Sequence, residues 1–450
     1  MNKRQSSTDL TNGPIVKVLL LFTLPILFDS VLQQLYNIVD TAIIGNYLGD
    51  NALASVGASG PIYELFLGIT MGFGNGFSVL IARYFGAKKE NDFKKSVSWT
   101  YLFSFIIAIL LTVTGLLGIR PLLNALNTPA TIIEDTVCYM KIILAFSVVT
   151  MFYNMFAGML RAVGNSRIPL FFLSISTTVN IILDIVFIRD FHLGIAGVAY
   201  ATVFAQFISA ILCVIYIYTK CPILRFDRKY LMKDNALTGN LLTTGLSMAM
   251  MYVVVSIGTI ALQSSVNSFG EQTIAAHNTA RKINNALMLP IGALNSAAAT
   301  FTSQNFGARK IQRVKRGITS ALTICSLWIV IAIAIAYLFG EQIIILLTGS
   351  QDPFLIDTAF RYIKINILFF HALGVLIILR SSLQGMGRKL IPLLGSVIEL
   401  VFKFAAVGFI APALGYFGIC ILEPVIWIVC AIVVLIDYFV FMRKYSTTNK

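Results

Sequence analysis

Leu24-Pro25-Ile26-Leu27-Phe28-Asp29-Ser30-Val31-Leu32-Gln33-Gln34-Leu35-Tyr36-Asn37-Ile38-Val39-Asp40 lies inside an apolar run that predicts one membrane-spanning helix from Ile15 to Ile44. Two carboxylates interrupt it. A charge at the centre of a bilayer costs at least about 2.5–3.5 kcal/mol, so a carboxylate there marks a candidate functional site. Asp29 and Asp40 are eleven positions apart, which at 100° per residue brings the second to within about 20° of the first. Gln33, Tyr36 and Asn37 fall on the stripe between them. One helix face is therefore polar over roughly 16 Å. Such a face lines a cavity or packs on another polar helix, because lipid cannot satisfy it. Pro25 sits a turn before Asp29, where its missing N–H and its ring predict a kink. A bending helix with titratable groups suits a gated transport site, although carboxylates hydrogen-bonded within a bundle would share that spacing.

The 450-residue chain is 57% hydrophobic and 12% charged, with a mean hydropathy of +0.83. That is the composition of an all-α polytopic membrane protein, with no room for a sizeable soluble domain. The net charge of +14 could suit nucleic acid, but the basic residues cluster in alternate loops. The six cysteines show no paired spacing, which predicts core packing and neither a disulfide framework nor a metal site. Lys3 and Arg4 precede the first apolar run, and no small-residue cleavage site follows it, which predicts an uncleaved first helix.

Twelve spans are expected, from 15–45 to 415–441. Arg83, Lys88, Lys89, Lys94 and Lys95 fall between the second and third. Lys220, Arg225, Arg228, Lys229 and Lys233 fall between the sixth and seventh, and Arg309, Lys310, Arg313, Lys315 and Arg316 between the eighth and ninth. Arg161 and Arg167, then Arg380, Arg388 and Lys389, then Arg443, Lys444 and Lys450 continue the same side. The opposite loops hold only Arg120 and Arg189. Positive charge stays cytoplasmic, so the protein is expected in the cell's inner (plasma) membrane with both termini in the cytoplasm.

The chain also repeats. Phe85-Gly86-Ala87-Lys88-Lys89 returns as Phe306-Gly307-Ala308-Arg309-Lys310, and Leu193-Gly194 with Gly197 returns as Leu414-Gly415 with Gly418. Leu160-Arg161-Ala162-Val163-Gly164 with Pro169 returns as Leu383-Gln384-Gly385-Met386-Gly387 with Pro392. Near-constant offsets predict two parallel six-helix halves. They are an N-lobe at 14–219 and a C-lobe at 240–442, joined by a basic linker at 220–239 that would lie near anionic headgroups.

Inside the spans, Asn180 and Asp184 are one turn apart on one helix face, and Thr202 follows on the next span. With Asp40 they offer two carboxylates, an amide and a hydroxyl. These are hard oxygen donors that suit a proton or a small hard cation such as Na+. Tyr139 and Asn154 could complete a cavity wall. In the second half Glu399 and Lys403 are spaced as an ion pair, and with Glu423, Arg281 and Lys282 they form an expected structural charge network. Glycines 68, 72, 74 and 76 predict close helix approach. His277 and His371 read as packed or hydrogen-bonded core residues.

Leu24-Pro25-Ile26 with Tyr36-Asn37-x-x-Asp40, Phe85-Gly86-Ala87-Lys88, Leu160-Arg161-Ala162-Val163-Gly164-Asn165, Asn180-x-x-x-Asp184 and Gly194-x-x-Gly197-x-Ala199-x-Ala201-Thr202 resemble the multidrug and toxic compound extrusion (MATE) transporters. The resemblance covers essentially the whole chain and points to the DinF-like branch. It implies a V-shaped fold of twelve transmembrane helices in two pseudo-symmetric lobes. It further implies secondary active multidrug efflux, by a monomer without an organic cofactor, of small cationic amphipathic compounds in exchange for H+ or Na+. Asp40, Asn180, Asp184 and Thr202 match that branch's coupling-ion residues, and Pro25 matches its bending point. The acidic residue that the other prokaryotic branch carries on span seven is missing, since Leu246 to Val266 holds no carboxylate.

A lipid-linked oligosaccharide flippase of the related fold is the competing transporter reading. Anionic substrates would call for basic cavity residues and often two further helices. An intramembrane enzyme would need clustered Asp motifs or a His–Asp pair at a membrane face, and the absence of a Walker A motif excludes direct drive by ATP. The partners expected are organic cations and the lipid bilayer, with no nucleic acid.

Overall fold

The computed structural model describes residues 9–448; Lys3, Arg4 and Lys450 lie outside them. In lipid every backbone N–H and C=O must be satisfied within its own segment, so each apolar run becomes a helix. The elements are α1 (Ile15–Leu48), α2 (Asp50–Gly86), α3 (Glu90–Ala125), α4 (Ile133–Ala145), α5 (Ser147–Ala162), α6 (Arg167–Ile185) and α7 (Gly194–Lys220). After a linker come α8 (Asn235–Asn267), α9 (Glu271–Gly307), α10 (Ile311–Thr348), α11 (Pro353–Leu368), α12 (Phe370–Gly385), α13 (Leu390–Ala405) and α14 (Ala411–Thr448).

Two of the expected spans are bent. The stretches read as unbroken at 132–156 and 355–380 become α4–α5 and α11–α12, each pair turned by 52°. The turns fall at Phe146 (φ −102°, ψ 24°) and Phe369 (φ −97°, ψ 4°), outside the helical region. Neither has a Pro or Gly that would have signalled a break. Taking each bent pair as one crossing gives ten runs long and apolar enough to span; dividing the last, Leu390–Tyr445, near Gly415 (φ 59°) and adding the less apolar α9 gives the twelve helices expected. At 1.5 Å per residue the longer helices exceed a hydrocarbon core of about 30 Å.

The repeat is written in the backbone. Phe146 matches Phe369, and the single π-turn at Val186–Asp190 matches that at Ala406–Ile410. Positive φ recurs at Lys88 and Arg309, at Gly164 and Gly387, and at Gly194 and Gly415. All these pairs are 220 to 223 residues apart.

Contacts divide the chain into two units. Among the described residues the first is Leu24–Tyr252 with Gly307–Arg309 and residues 9–12; the second is Gly13–Thr23, Val253–Phe306 and residues 310–448. The divisions thus fall inside α1, immediately before Leu24-Pro25, and inside α8, rather than in the 220–239 linker.

Within the first unit α2 is central. A Cβ at Gly72 would lie 2.4 Å from Ala249 Cα, and one at Gly76 2.5 Å from Gly245 Cα, so the backbones of α2 and α8 touch where side chains are missing. Phe73, Phe77, Leu80, Met151, Leu241 and Ala249 pack around that contact. The linker is pinned to α3: Ser98 Oγ donates to the Asp227 carbonyl at 3.1 Å, and Tyr101 Oη to that of Leu224 at 3.1 Å. Asp234 caps α8, its Oδ1 accepting from Leu237 N–H at 3.1 Å while Lys95 Nζ lies 3.0 Å from Oδ2. The Leu237 N–H first, then the Lys95 ammonium, hold this carboxyl below the usual range. Within the second unit, Trp328 Nε1 donates to the Leu287 carbonyl at 2.9 Å, and Arg388 pairs with Asp437.

Candidate functional site

The first unit encloses a cavity of about 360 Å³ between α1, α2, α4, α5, α6 and α7. From α1 it takes Gln33, Tyr36, Asn37 and Asp40, from α4 Tyr139, from α5 Asn154, from α6 Asn180 and from α7 Thr202. Residues distant in sequence are joined by short bonds. Tyr36 Oη lies 3.3 Å from Thr202 Oγ1. With its amide oriented to satisfy its neighbours, Asn180 donates from Nδ2 to Asp184 Oδ2 at 2.9 Å, and its Oδ1 accepts from the Thr202 backbone N–H at 3.1 Å. Asp184 is fully buried behind the wall, and its carboxyl lies against that of Asp40. Asp40 Oδ1 and Asp184 Oδ1 are both buried without a protein partner.

The structure therefore brings together Asp40, Asn180, Asp184 and Thr202. Asp29 does not join them. It is not part of the cavity wall; its carboxyl lies within electrostatic reach of the Arg161 guanidinium and the Tyr153 hydroxyl instead, and its Oδ1 is buried and unpartnered. Pro25 is buried within an uninterrupted α1. Tyr63, Glu64, Thr150 and Gln206 also line the cavity and escaped the sequence reading. Thr150 Oγ1 donates to Gln206 Oε1 at 2.6 Å, and Tyr63 hydrogen-bonds with Gln206. Glu64 carried a usable signal, a carboxylate in an apolar run, the same signal that marked Asp40. Among the described residues, no Lys or Arg lines this cavity.

The second unit has its own cavity, about 280 Å³, lined by Arg281, Arg380, Glu399, Lys403 and Glu423 among others. Lys403 Nζ lies 2.9 Å from Glu399 Oε1, with both side chains nearly buried. Tyr362 Oη donates to Glu423 Oε2 at 3.0 Å. The expected network needs two corrections. Lys282 is exposed and absent from the wall, because it is rotated about 100° from Arg281 on α9. Arg380, read as a loop residue, sits inside α12 and faces the cavity. His277 is buried, with Nδ1 3.1 Å from Tyr416 Oη, whereas His371 is exposed rather than in the core.

The MatE family model matches residues 25–186 and, a second time, 239–407. The chain belongs to the MatE family. The two matches fall on the two halves that the repeat marks. The Probable multidrug resistance protein YoeA of Bacillus subtilis is 29% identical over 387 residues, covering 84% of this chain and 83% of its own. The FAD transporter of Shewanella oneidensis is 25% identical over 409 residues, covering 89% of each. The fold is shared with a solved MOP superfamily transporter from Pyrococcus furiosus, for which a reverse polarity of the binding pocket suggests a different function. Its TM-score is 0.89 at 22% identity, over 100% of both chains. This MatE chain is a multi-pass membrane protein.

Proposed function

We propose that this chain is a secondary active antiporter that exports cationic amphipathic compounds in exchange for H+ or Na+, coupled through the carboxylates of its first half. One observation carries the reading: the cavity wall holds Asp40 and Glu64, with Asp184 behind it, and no basic side chain among the described residues. Surplus negative charge in a membrane needs a counter-charge that can come and go. Organic cations fit the cavity's mixture of Tyr36, Tyr63 and Tyr139 rings with acidic oxygens.

Two carboxyl groups in contact repel unless a proton or a cation lies between them. A proton suits the arrangement described, since the Asn180 oxygen is already taken by the Thr202 N–H. Na+ would draw on Asp40, Asn180, Asp184 and Thr202, all oxygen donors, once the Asn180 amide turned. An ion entering would compete with a bound drug for the same negative charge, which is the logic of exchange. Pro25 in α1 is the proposed hinge, and both termini are placed in the cytoplasm of a plasma-membrane protein. One relative is an FAD transporter, so similarity alone does not fix the substrate; the polarity of this wall is what favours cations.

Ethidium uptake into or efflux from proteoliposomes, driven separately by a pH gradient and a Na+ gradient, tests the proposal. Transport that follows at least one gradient is expected. Ethidium movement indifferent to both would refute antiport.

A further inference from the structure

We propose that the cavity of the second unit binds organic oxyanions, a carboxylate or phosphate carried on a ring-containing apolar body. The argument is a charge account within one wall. Arg281, Arg380 and Lys403 face Glu399 and Glu423, three cations against two carboxylates. Lys403 is already matched to Glu399 at 2.9 Å, and Glu423 is held by the Tyr362 hydroxyl at 3.0 Å. Among the described residues, neither Arg281 nor Arg380 has a carboxylate within 4.0 Å.

Arg380 donates one hydrogen bond, to Ser396 Oγ at 3.2 Å. A guanidinium carries five N–H donors in a planar fork shaped for carboxylate or phosphate oxygens, so most of this capacity is unspent. An uncompensated charge is costly inside a membrane protein, and an anion arriving from outside would offset it. A second, independent observation points the same way. Asn284 lines the same cavity, is only 5% exposed, and its Oδ1 has no partner. It is an acceptor in want of a ligand donor.

The rest of the wall sets the body of the ligand. Trp427, Tyr362, Met288, Leu373 and Leu376 surround the polar groups, and Trp427 is steadied by an edge contact with Phe370 at 5.8 Å. A cavity of about 280 Å³ takes a one- or two-ring compound. Arg281 and Arg380 would hold the acidic group, and the Asn284 oxygen a hydroxyl or amine. The polarity is opposite to that of the first cavity, so the two sites divide ligands by charge.

The test is binding rather than transport, and so stands apart from the antiport proposal. The full-length protein in phosphatidylcholine nanodiscs is titrated calorimetrically with 2-naphthoate and with 2-naphthamide, its neutral isostere, with empty discs as the partition control. Saturable naphthoate binding is expected, about tenfold or more tighter than naphthamide. Arg281→Gln and Arg380→Gln should each weaken naphthoate by about that factor and leave naphthamide unchanged, with Arg281→Lys recovering part of the loss. Comparison of acid with amide in the unaltered protein needs no variant to fold.

Repeating the titration in discs containing phosphatidylglycerol separates the two sources of oxyanion. Unchanged affinity assigns the site to soluble anions. A loss in the unaltered protein that is absent from Arg281→Gln assigns it to a lipid headgroup. Either result supports the chemistry. Equal affinity for acid and amide, no saturable binding of the acid, or wild-type affinity in both Gln variants overturns it.

Discussion

Asp184 and Lys403 are both buried ionisable groups one turn from a polar partner on their own helix, yet their surroundings ask different things of them. Asp184 faces a second carboxyl, that of Asp40, and keeps an unpartnered oxygen. Lys403 faces Glu399 at 2.9 Å and keeps a matched pair. Removing one member of a buried pair strands the other, at a cost of about 3–5 kcal/mol. Lys403→Ala should therefore lower the melting temperature by many degrees, and Glu399→Gln with Lys403→Met should recover most of it, as read by thermal unfolding in detergent. A double variant as unstable as the single one would show that the pair is not what holds this region. Most of the first site was legible at this scale, because a carboxylate or amide in an apolar run is conspicuous. Glu64 carried the same signal and was passed over, and Arg380, at the very end of its expected span, was read as a loop residue. The choice between Arg281 and Lys282 was not legible: adjacent residues on a helix differ by 100°, and α9 has no clear apolar stripe to orient them.

At the scale of elements, close packing of α2 on α8 depends on missing side chains. A Cβ at Gly72 would meet backbone, Ala249 Cα at 2.4 Å, and backbone cannot swing aside as a side-chain tip can. Gly72→Ala is expected to destabilise by about 1–3 kcal/mol through overpacking, whereas Gly57→Ala, with open space around it, should be neutral or better. Parallel melts check the contrast, and equal effects would contradict it. The start of α8 has a pH signature. Because the Asp234 carboxyl is held below its ordinary value, its contribution is present above the unfolded value of about 3.9 and disappears as pH falls through the lower, folded one. Asp234→Asn should thus melt below the unaltered protein at pH 7, with the gap closing in acid; a gap independent of pH would exclude the charge as its cause. Helix existence was readable from apolar runs, whereas the bends at Phe146 and Phe369 were not. No Pro or Gly marks them; beside the first, Thr112 Oγ1 of α3 donates to the Leu144 carbonyl at 3.1 Å, a side-chain insertion that periodicity does not announce.

For the whole molecule, the repeat was legible because turn motifs must be kept wherever the backbone turns left-handed: Lys88 and Arg309, Gly164 and Gly387, Gly194 and Gly415 all do so. The division of contacts inside α1 and α8 was not legible, since continuous helices give no sequence sign of changing neighbours. By the positive-inside rule, the basic segments 88–95 and 309–316 are predicted to face the cytoplasm. Single cysteines there, in a background without the six native ones, should resist an impermeant maleimide in intact cells and react after lysis. Labelling of either loop from outside would reverse the orientation. The most direct measurement is ethidium efflux from proteoliposomes containing Asp40→Asn or Asp184→Asn, beside the unaltered protein under the same gradient. Asn keeps the shape and removes the exchangeable charge, so both variants should melt close to the unaltered protein and move ethidium no faster than empty vesicles. Gradient-driven efflux at the unaltered rate in either variant would contradict coupling through this carboxyl pair.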